Sequence, residues 1–435
     1  MKGNNTKPPS GTRDFLPQDV KSRDRVFSTI KEVFENYGFL PMDTPSFERI
    51  ETLNEKYGED GDKLMFKILR RGEQALSGET DLALRYDLTI PFVRFVAEYQ
   101  DKLPKIFRRY QIGPVWRADR PGKARFREFY QCDIDVVDSA SPLADAEVIL
   151  ALTEALSRLN LKEFTVQLNS RKVLGGLLEI YDVPTALRKG VLVTIDKLDK
   201  IGVKGVKNEL LERSVPEKIV EQIVKGIESP VSDIIKRVEK SETGRIGLSE
   251  MWNVLNLVDP LLKIGKIEFS PFLVRGLDYY TGPIFEIFVP GAQSAVAGGG
   301  RYDNLIGSFT GKQIPACGGS LGVERILALL SNGEPPTIST QVFVTVWDKS
   351  FEGDALEIAS ELRSKDISTE VYVGGSKKLS NQLRLASERS ALYCIIYGPD
   401  EKGKKEVGIK NLATSEQTRL PKDQLLSTLL GLLGK

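Results

Sequence analysis

The chain has 435 residues, a formal net charge of +1 and not one histidine. That absence excludes every mechanism built on imidazole, including Ser-His-Asp hydrolysis, Cys-His nucleophiles and His-ligated metals. Its near-neutral balance makes any polyanion site a local one, and its length suggests about two or three domains.

In chain order, Val26, Phe27, Ile30, Val33, Phe34 and Tyr37 fall on one helical face, with Gly38 as a stop signal. FLPMDTPSFE (39–48) reads as an extended segment punctuated by Pro41 and Pro45. LMFKILRRGE and LALRYDLTIPFVRFVA read as further strands, the latter passing into a helix after Pro91. ADAEVILALTEALSRL is an amphipathic helix. Residues from about 172 to about 265 are rich in Lys and Glu at helical spacing, a helical insertion. Strand character returns with KIEFSPFLVRGLDYYTGPIFEIFV. Residues 331–340, SNGEPPTIST, read as a linker between a first domain, 1–330, and a last one, 341–435. The last domain alternates β-α-β-α-β, which predicts a small α/β unit with a largely parallel sheet. The first has many strands before its long helices, which predicts an α+β domain on a mainly antiparallel sheet with flanking helices.

The segment 116–135, WRADRPGKARFREFYQCDID, carries the most chemistry. From Arg125 it alternates with period two, as a strand does. One face collects Arg125, Arg127, Phe129, Gln131, Asp133 and Asp135, and the other is mostly core material. Cations, then an aromatic, then an amide and carboxylates suit an elongated ligand with phosphates at one end and a donor-rich group at the other. The same pattern fits an edge strand with a solvated charged face. From Lys102 to Arg127 there are nine Lys or Arg against a single acid, Asp119, which points to a phosphate-bearing partner.

Four shorter segments add weight. LRYDLT puts Asp87 and Thr89 on the same side of an extended chain, with Arg85 as a partner for an ion pair. LVRGLDYYTG sets Arg275 before adjacent tyrosines, of which only one would face a ligand on a strand. AGGGRYDNLIG carries Gly298 to Gly300, which reads as a glycine turn or a close approach of backbone to a small substrate. CGGSLGVERILALL passes from a strand into a helix at about Glu324, projecting Arg325 from its first turn. No P-loop or GxGxxG fingerprint occurs to explain phosphate binding otherwise. Cys132, Cys317 and Cys394 are far apart in sequence and read as reduced, buried thiols. No apolar run of about 18 residues occurs, so the expectation is a cytoplasmic chain without a membrane span.

Together and in this order, these segments resemble the histidyl-tRNA synthetases, a family of class II aminoacyl-tRNA synthetases. FLPMDTPSFE, WRADRPGKARFREFYQ and GGSLGVERILALL are similar to class II motifs 1, 2 and 3. LVRGLDYYTG and AGGGRYDNLIG are similar to the two signatures narrow to this family. The resemblance implies a class II catalytic domain with a helical insertion, and a C-terminal anticodon-binding domain. It implies ATP, Mg²⁺, L-histidine and histidine tRNA as ligands, and a homodimer joined through motif 1 and its Pro45. Arg117 and Arg275 would act at the reacting centre, gripping the ATP α-phosphate and the amino-acid carboxylate. Arg125, Phe129 and Arg325 would complete the ATP site at the β,γ-phosphates and the two adenine faces. Asp87, Leu88, Thr89 and Gln131 would lie around the histidine α-amino group, and Asp135, Tyr279 and Tyr280 around its imidazole. Many bacterial members carry glutamate where Asp135 stands. The runner-up is a non-catalytic relative of the same fold that binds histidine or uncharged tRNA. Such relatives tend to lose these arginines or the C-terminal domain, and both are present here.

Overall fold

The computed structural model describes residues 6–54, 63–122, 125–275, 279–330, 340–376 and 378–435. The expected linker falls almost wholly outside them, as do parts of the RPGKAR and RGLD segments. Contacts divide the chain into two compact units, Met1–Asp14 with Arg23–Gly333 and Phe15–Ser22 with Glu334–Lys435.

The first unit is built on eight strands. In spatial order they are Leu40–Pro41, Phe107–Trp116, Glu128–Val137, Ala316–Gly322, Ala297–Arg301, Pro283–Phe288, Thr165–Ser170 and Lys266–Phe269. Only the two outermost pairings are parallel, and every inner one is antiparallel. From Arg23 on, the helix Pro17–Asn36 belongs to this unit and buries Val26, Ile30, Val33 and Phe34, the face its spacing predicts. Pro142–Arg158 starts cleanly because Ser141 Oγ accepts from Leu143 N at 3.3 Å with Pro142 at the first helical position. It then buries a nearly continuous apolar face that includes Val148, Ile149 and Leu152.

The expected insertion is helical throughout its long elements, from Arg171–Ile180 to Glu242–Val258. Three of its helices, Thr185–Ile195, Glu217–Ile227 and Val231–Val238, follow prolines that fix the chain's entry. Arg171–Ile180 and Glu242–Val258 approach closely at two glycines. A Cβ on Gly176 would lie 2.6 Å from Gly244 Cα, so neither position has room for a side chain.

Three local expectations change. The run before Asp87 is a strand only to Leu84, and the helix begins at Thr89 rather than after Pro91. The reason is Asp87, whose Oδ1 accepts from Ile90 N at 3.0 Å and so turns the chain into the helix. The Arg125 strand begins only at Glu128, because Arg125 closes a tight bridge with Gly122 instead. Gly298 to Gly300 are not a turn. They form the middle of a fully buried strand, Ala297–Arg301.

The second unit has a five-stranded sheet ordered Thr369–Val371, Val342–Val344, Tyr393–Ile396, Glu406–Asn411, Gln417–Pro421. The first three are parallel, as the alternation predicts. The last two are added antiparallel by a short return and a hairpin, so the sheet is mixed rather than largely parallel.

Candidate active site

The register of the central strands builds the site. Glu128–Val137 sets Gln131 beside Gly113 and Gly322, Asp133 beside Gln111 and Ser320, and Asp135 beside Arg109 and Gly318. Alternate residues of one strand therefore meet small residues on its neighbour, and the space left over is a cavity of about 300 Å³.

That cavity is lined by Asp87, Thr89, Arg117, Gln131, Asp135, Arg275, Tyr279 and Tyr280, all expected from the sequence. Tyr86, Asp133, Gly298, Tyr302, Gly318, Gly319 and Ser320 join them. Both adjacent tyrosines face it, because the chain is not a strand there. Their ring centroids are 4.8 Å apart, and the strand starts only at Pro283. Leu88, Arg125, Phe129 and Arg325 do not line it. Leu88 is fully buried beneath it. Phe129 is half-buried further up the motif strand, in the direction of Arg117.

Glycines shape the walls. A Cβ on Gly318 would fall 1.9 Å from Asp135 Oδ1, and one on Gly298 would fall 2.7 Å from Arg275 Nη1. Gly319 faces the other way, where a Cβ would meet Leu152 Cδ1 of the Pro142–Arg158 helix at 2.7 Å. Gly299 is nearly as tight as Gly318, with its Cβ direction 2.0 Å from Gly318 O.

The cations are held from behind. Arg117 donates from Nε to Tyr86 O at 3.1 Å, and its guanidinium carbon lies 4.4 Å from the Tyr86 ring centroid and 5.1 Å from that of Phe129. Arg275 Nη1 pairs with Glu286 at 2.5 Å. Burial works against the Arg275 charge, but Tyr280 and Glu286 outweigh it and hold the guanidinium above its ordinary range. Arg325 donates to Ala295 O; burial lowers its guanidinium, Glu286 counters this, and the nearby charges of Arg275, Arg117 and Arg125 add to the lowering. These four arginines thus lie close enough to act on one another electrostatically.

The carboxylates are at the opposite end. Asp135 is 3% exposed, pairs with Arg109 at 2.6 Å and accepts the Tyr302 hydroxyl. Burial raises Asp135, while Arg109 and Tyr302 pull it back. Burial pushes Asp133 up to about 7; Arg109 counters this and Asp135 adds to it. Gln131 donates from Nε2 to Ser320 Oγ at 3.0 Å, which fixes its amide beside them. The Tyr279 and Thr89 side chains are hydrogen-bonded.

In the basic stretch from Lys102 to Arg127, some charges are already paired within the chain: Arg108 with Glu147 at 2.6 Å, Arg109 with Asp135, and Arg125 with Asp119 at 2.8 Å. Arg85 is not the partner of Asp87 that the LRYDLT spacing suggested. Its guanidinium donates to Pro114 O at 2.9 Å and Thr44 O at 2.7 Å, tying the 39–48 segment to the motif strand's neighbour. Sequence reasoning missed Arg109, Tyr86, Tyr302 and Glu286. Asp133 and Ser320 stood in segments already singled out, and cross-strand register is the signal that brings them in. No group of three or more Asp, Glu or Cys that could hold a metal occurs among the described residues.

A mainly antiparallel sheet whose central cavity is lined by Arg117 and Arg275 as well as by Asp87, Asp133 and Asp135, in a chain that also holds a separate mixed α/β unit, defines a class II aminoacyl-tRNA synthetase fold. A family model described as Histidyl-tRNA synthetase matches residues 11–326, and one described as Anticodon binding domain matches 341–432. The chain belongs to the histidyl-tRNA synthetase family. It is 38% identical over 441 residues to the histidine–tRNA ligase of Christiangramia forsetii, covering 95% of this chain and 96% of that one. It is 36% identical to that of Flavobacterium johnsoniae over 473 residues, covering 97% and 98%. The crystal structure of histidyl-tRNA synthetase from Nostoc sp. PCC 7120 superposes with a TM-score of 0.79 at 29% identity, covering 98% of this chain and 99% of that one.

Proposed function

We propose that the chain ligates L-histidine to its cognate tRNA at the expense of ATP, through a histidyl-adenylate. The observation that carries this is a single cavity joining Asp87 and Thr89, Arg117 and Arg275, and Asp135 with both tyrosines. Asp87 and Thr89 take the α-amino group, Leu88 holds that turn by its burial, and Gln131 closes the side. Asp135, Tyr279 and Tyr280 surround the imidazole. A histidine carboxylate oxygen then attacks the α-phosphorus of ATP, the bond to the bridging oxygen breaks, and pyrophosphate leaves. Arg117 and Arg275 stabilise the charge on that phosphorus; pre-placed donors need no reorganisation as it develops. Arg125, Phe129 and Arg325 extend the site to the outer phosphates and the adenine. In the second step a hydroxyl of the tRNA terminal ribose attacks the acyl carbon, its proton passes to a phosphate oxygen of the adenylate, the bond from the acyl carbon to the phosphate oxygen breaks, and AMP departs. No protein nucleophile is required, which fits a chain without histidine and with three buried thiols.

Mg²⁺ would enter with ATP and be held mainly by the phosphate oxygens, whose hard character suits it, since no cluster of three or more acids that could hold it occurs among the described residues. Residues 341–435 read the anticodon, 1–330 activate histidine, and 331–340 link the two. The protein is a homodimer joined through 39–48, where Leu40 and Phe47 are 53% and 51% exposed. Phe39, by contrast, is buried within its own chain. It works in the cytoplasm, where histidine, ATP and tRNA meet; no helix among the described residues is long and apolar enough to cross a membrane.

Histidine-dependent ATP–pyrophosphate exchange without tRNA tests the reading. Folded protein that binds ATP yet shows no exchange would favour a regulatory histidine binder instead.

A further inference from the structure

Asp135 does not stand alone at the floor of the pocket. Arg109, on the neighbouring strand and directly opposite it in register, is 0% exposed and reaches it at 2.6 Å. The same guanidinium donates from Nη2 to Leu88 O at 3.4 Å and lies 4.2 Å from the Phe92 ring centroid. It is therefore fixed by the turn that carries Asp87 and Thr89 as well as by the motif strand. Asp133 is on the same face two residues from Asp135, and Asp87 completes a trio of buried acids. Three buried carboxylates without a counter-charge would select a cation, because an uncompensated buried charge is costly.

We propose that Arg109 is a positioning and specificity residue: it balances the charge of Asp135 so that the pocket takes the neutral imidazole of histidine rather than imidazolium or another cationic side chain. This rests on the reading that the imidazole is bound at Asp135. With Arg109 on one carboxylate oxygen and the Tyr302 hydroxyl on the other, each oxygen keeps a lone pair for an imidazole N–H. The pair as a whole carries no net charge to attract a second proton. The other charged or titratable groups around it are Asp87, Asp133, Arg275, Tyr279, Tyr280, Tyr302 and Cys317, whose buried thiol is pushed up and stays neutral. Arg275 is committed to Glu286, and burial raises the three tyrosines, which keeps them neutral near pH 7. Burial pushes Asp133 up to about 7 and so favours its uncharged form, which again disfavours a bound cation.

The test is calorimetric binding of L-histidine to the full chain in two buffers of different ionisation enthalpy, which counts protons. At about pH 7.5, where free imidazole is mostly neutral, wild type is expected to take up almost no proton. At about pH 6 it should release roughly three-quarters of a proton, the fraction protonated at a reference pKa of about 6.5. Uptake of nearly one proton at the higher pH would mean that imidazolium is bound and would overturn the inference, whatever the variants do.

Arg109→Met is expected to weaken histidine binding by roughly tenfold or more, with the KM for ATP unchanged. Arg109→Lys should recover most of it, since it restores the charge without the planar fork. Binding within about twofold of wild type in a folded Arg109→Met would overturn the inference. If that variant does not fold, Arg109→Lys and the wild-type proton count still decide. Asp135→Asn separates the two levels of the argument. If it leaves histidine binding unchanged, the imidazole is not at Asp135 and the placement of the substrate fails. If it weakens binding while Arg109→Met does not, only the role of Arg109 fails.

Discussion

Gly318 lies opposite Asp135 in the register of two antiparallel strands, so close that a Cβ at 318 would fall 1.9 Å from Asp135 Oδ1. The carboxylate occupies the space that any other residue would fill. Gly318→Ala is therefore expected to displace Asp135 from Arg109 and Tyr302 and to raise the KM for histidine by roughly tenfold or more. The KM for ATP should stay within about twofold, because the methyl is at the opposite end of the site from Arg117. Steady-state pyrophosphate exchange with each substrate varied in turn measures both. An equal rise in the two constants would mean that the sheet as a whole has shifted.

Arg275→Ala should lower the rate of adenylate formation by about 10²–10³, the usual loss for one pre-placed charge-stabilising donor. Arg275→Lys should recover only part, because an ammonium cannot hold Glu286 and reach the phosphorus with one planar fork. Single-turnover kinetics on protein with an unchanged melting temperature is the measurement. A rate within about threefold of wild type would remove Arg275 from the reacting centre.

Asp133 gives a pH prediction with a definite sign. Burial raises its folded pKa to about 7, above the unfolded reference of about 3.9. The folded state thus holds this proton more tightly, and ionisation costs stability as pH rises from about 4 towards 7. Asp133→Asn removes that cost. Its melting temperature relative to wild type should be highest at about pH 8, and the difference should shrink towards about pH 5. A difference that is flat with pH would show that Asp133 is not buried as a titrating group.

The exposed pair Leu40 and Phe47 supplies a test of assembly. Wild type should have the mass of a dimer by light scattering at micromolar concentration, and Leu40→Asp with Phe47→Asp should give a monomer. A monomeric wild type would leave these side chains unexplained and would count against the motif 1 reading.

Deleting 341–435 should reduce aminoacylation of tRNA far more than pyrophosphate exchange. The 341–432 match to an anticodon-binding family and the unit's own buried core, which includes Val342, Val344, Ile358 and Ile395, motivate this. Equal loss of both activities would show that the unit supports the active site itself.

Much of this molecule was legible from one dimension, and the exceptions share a cause. Asp135, Gln131 and Phe129 follow from a period of two along a single strand, which needs no knowledge of neighbours. Arg117 and Arg275 come from motif segments, and the helix from Pro17 from its own apolar spacing. Arg109 was misread as part of a phosphate patch because its partner is 26 positions away in sequence and becomes adjacent only through register. Gly298 to Gly300 left a turn and a close backbone approach both open, because alternation is a pattern of side chains, and glycines have none to show; the segment is a strand, and Gly298 lines the cavity. Thr89 was placed on an extended chain because nothing in LRYDLT announces that Asp87 will accept from Ile90 N and start a helix.

The glycine-lined wall also limits where this pocket can go next. At Gly298 and Gly318 the side chain is already the smallest available, so substitution there can only fill space and never add it. A descendant accepting a bulkier amino acid would have to gain room on the other side, by trimming Tyr279, Tyr280 or Tyr302. Those rings pack against one another, Tyr279 lying 4.8 Å from Tyr280 and 5.9 Å from Tyr302 between centroids. Shortening one would loosen its neighbours as well, so drift towards larger substrates is opposed from both sides of the cavity, while drift towards smaller ones lies open.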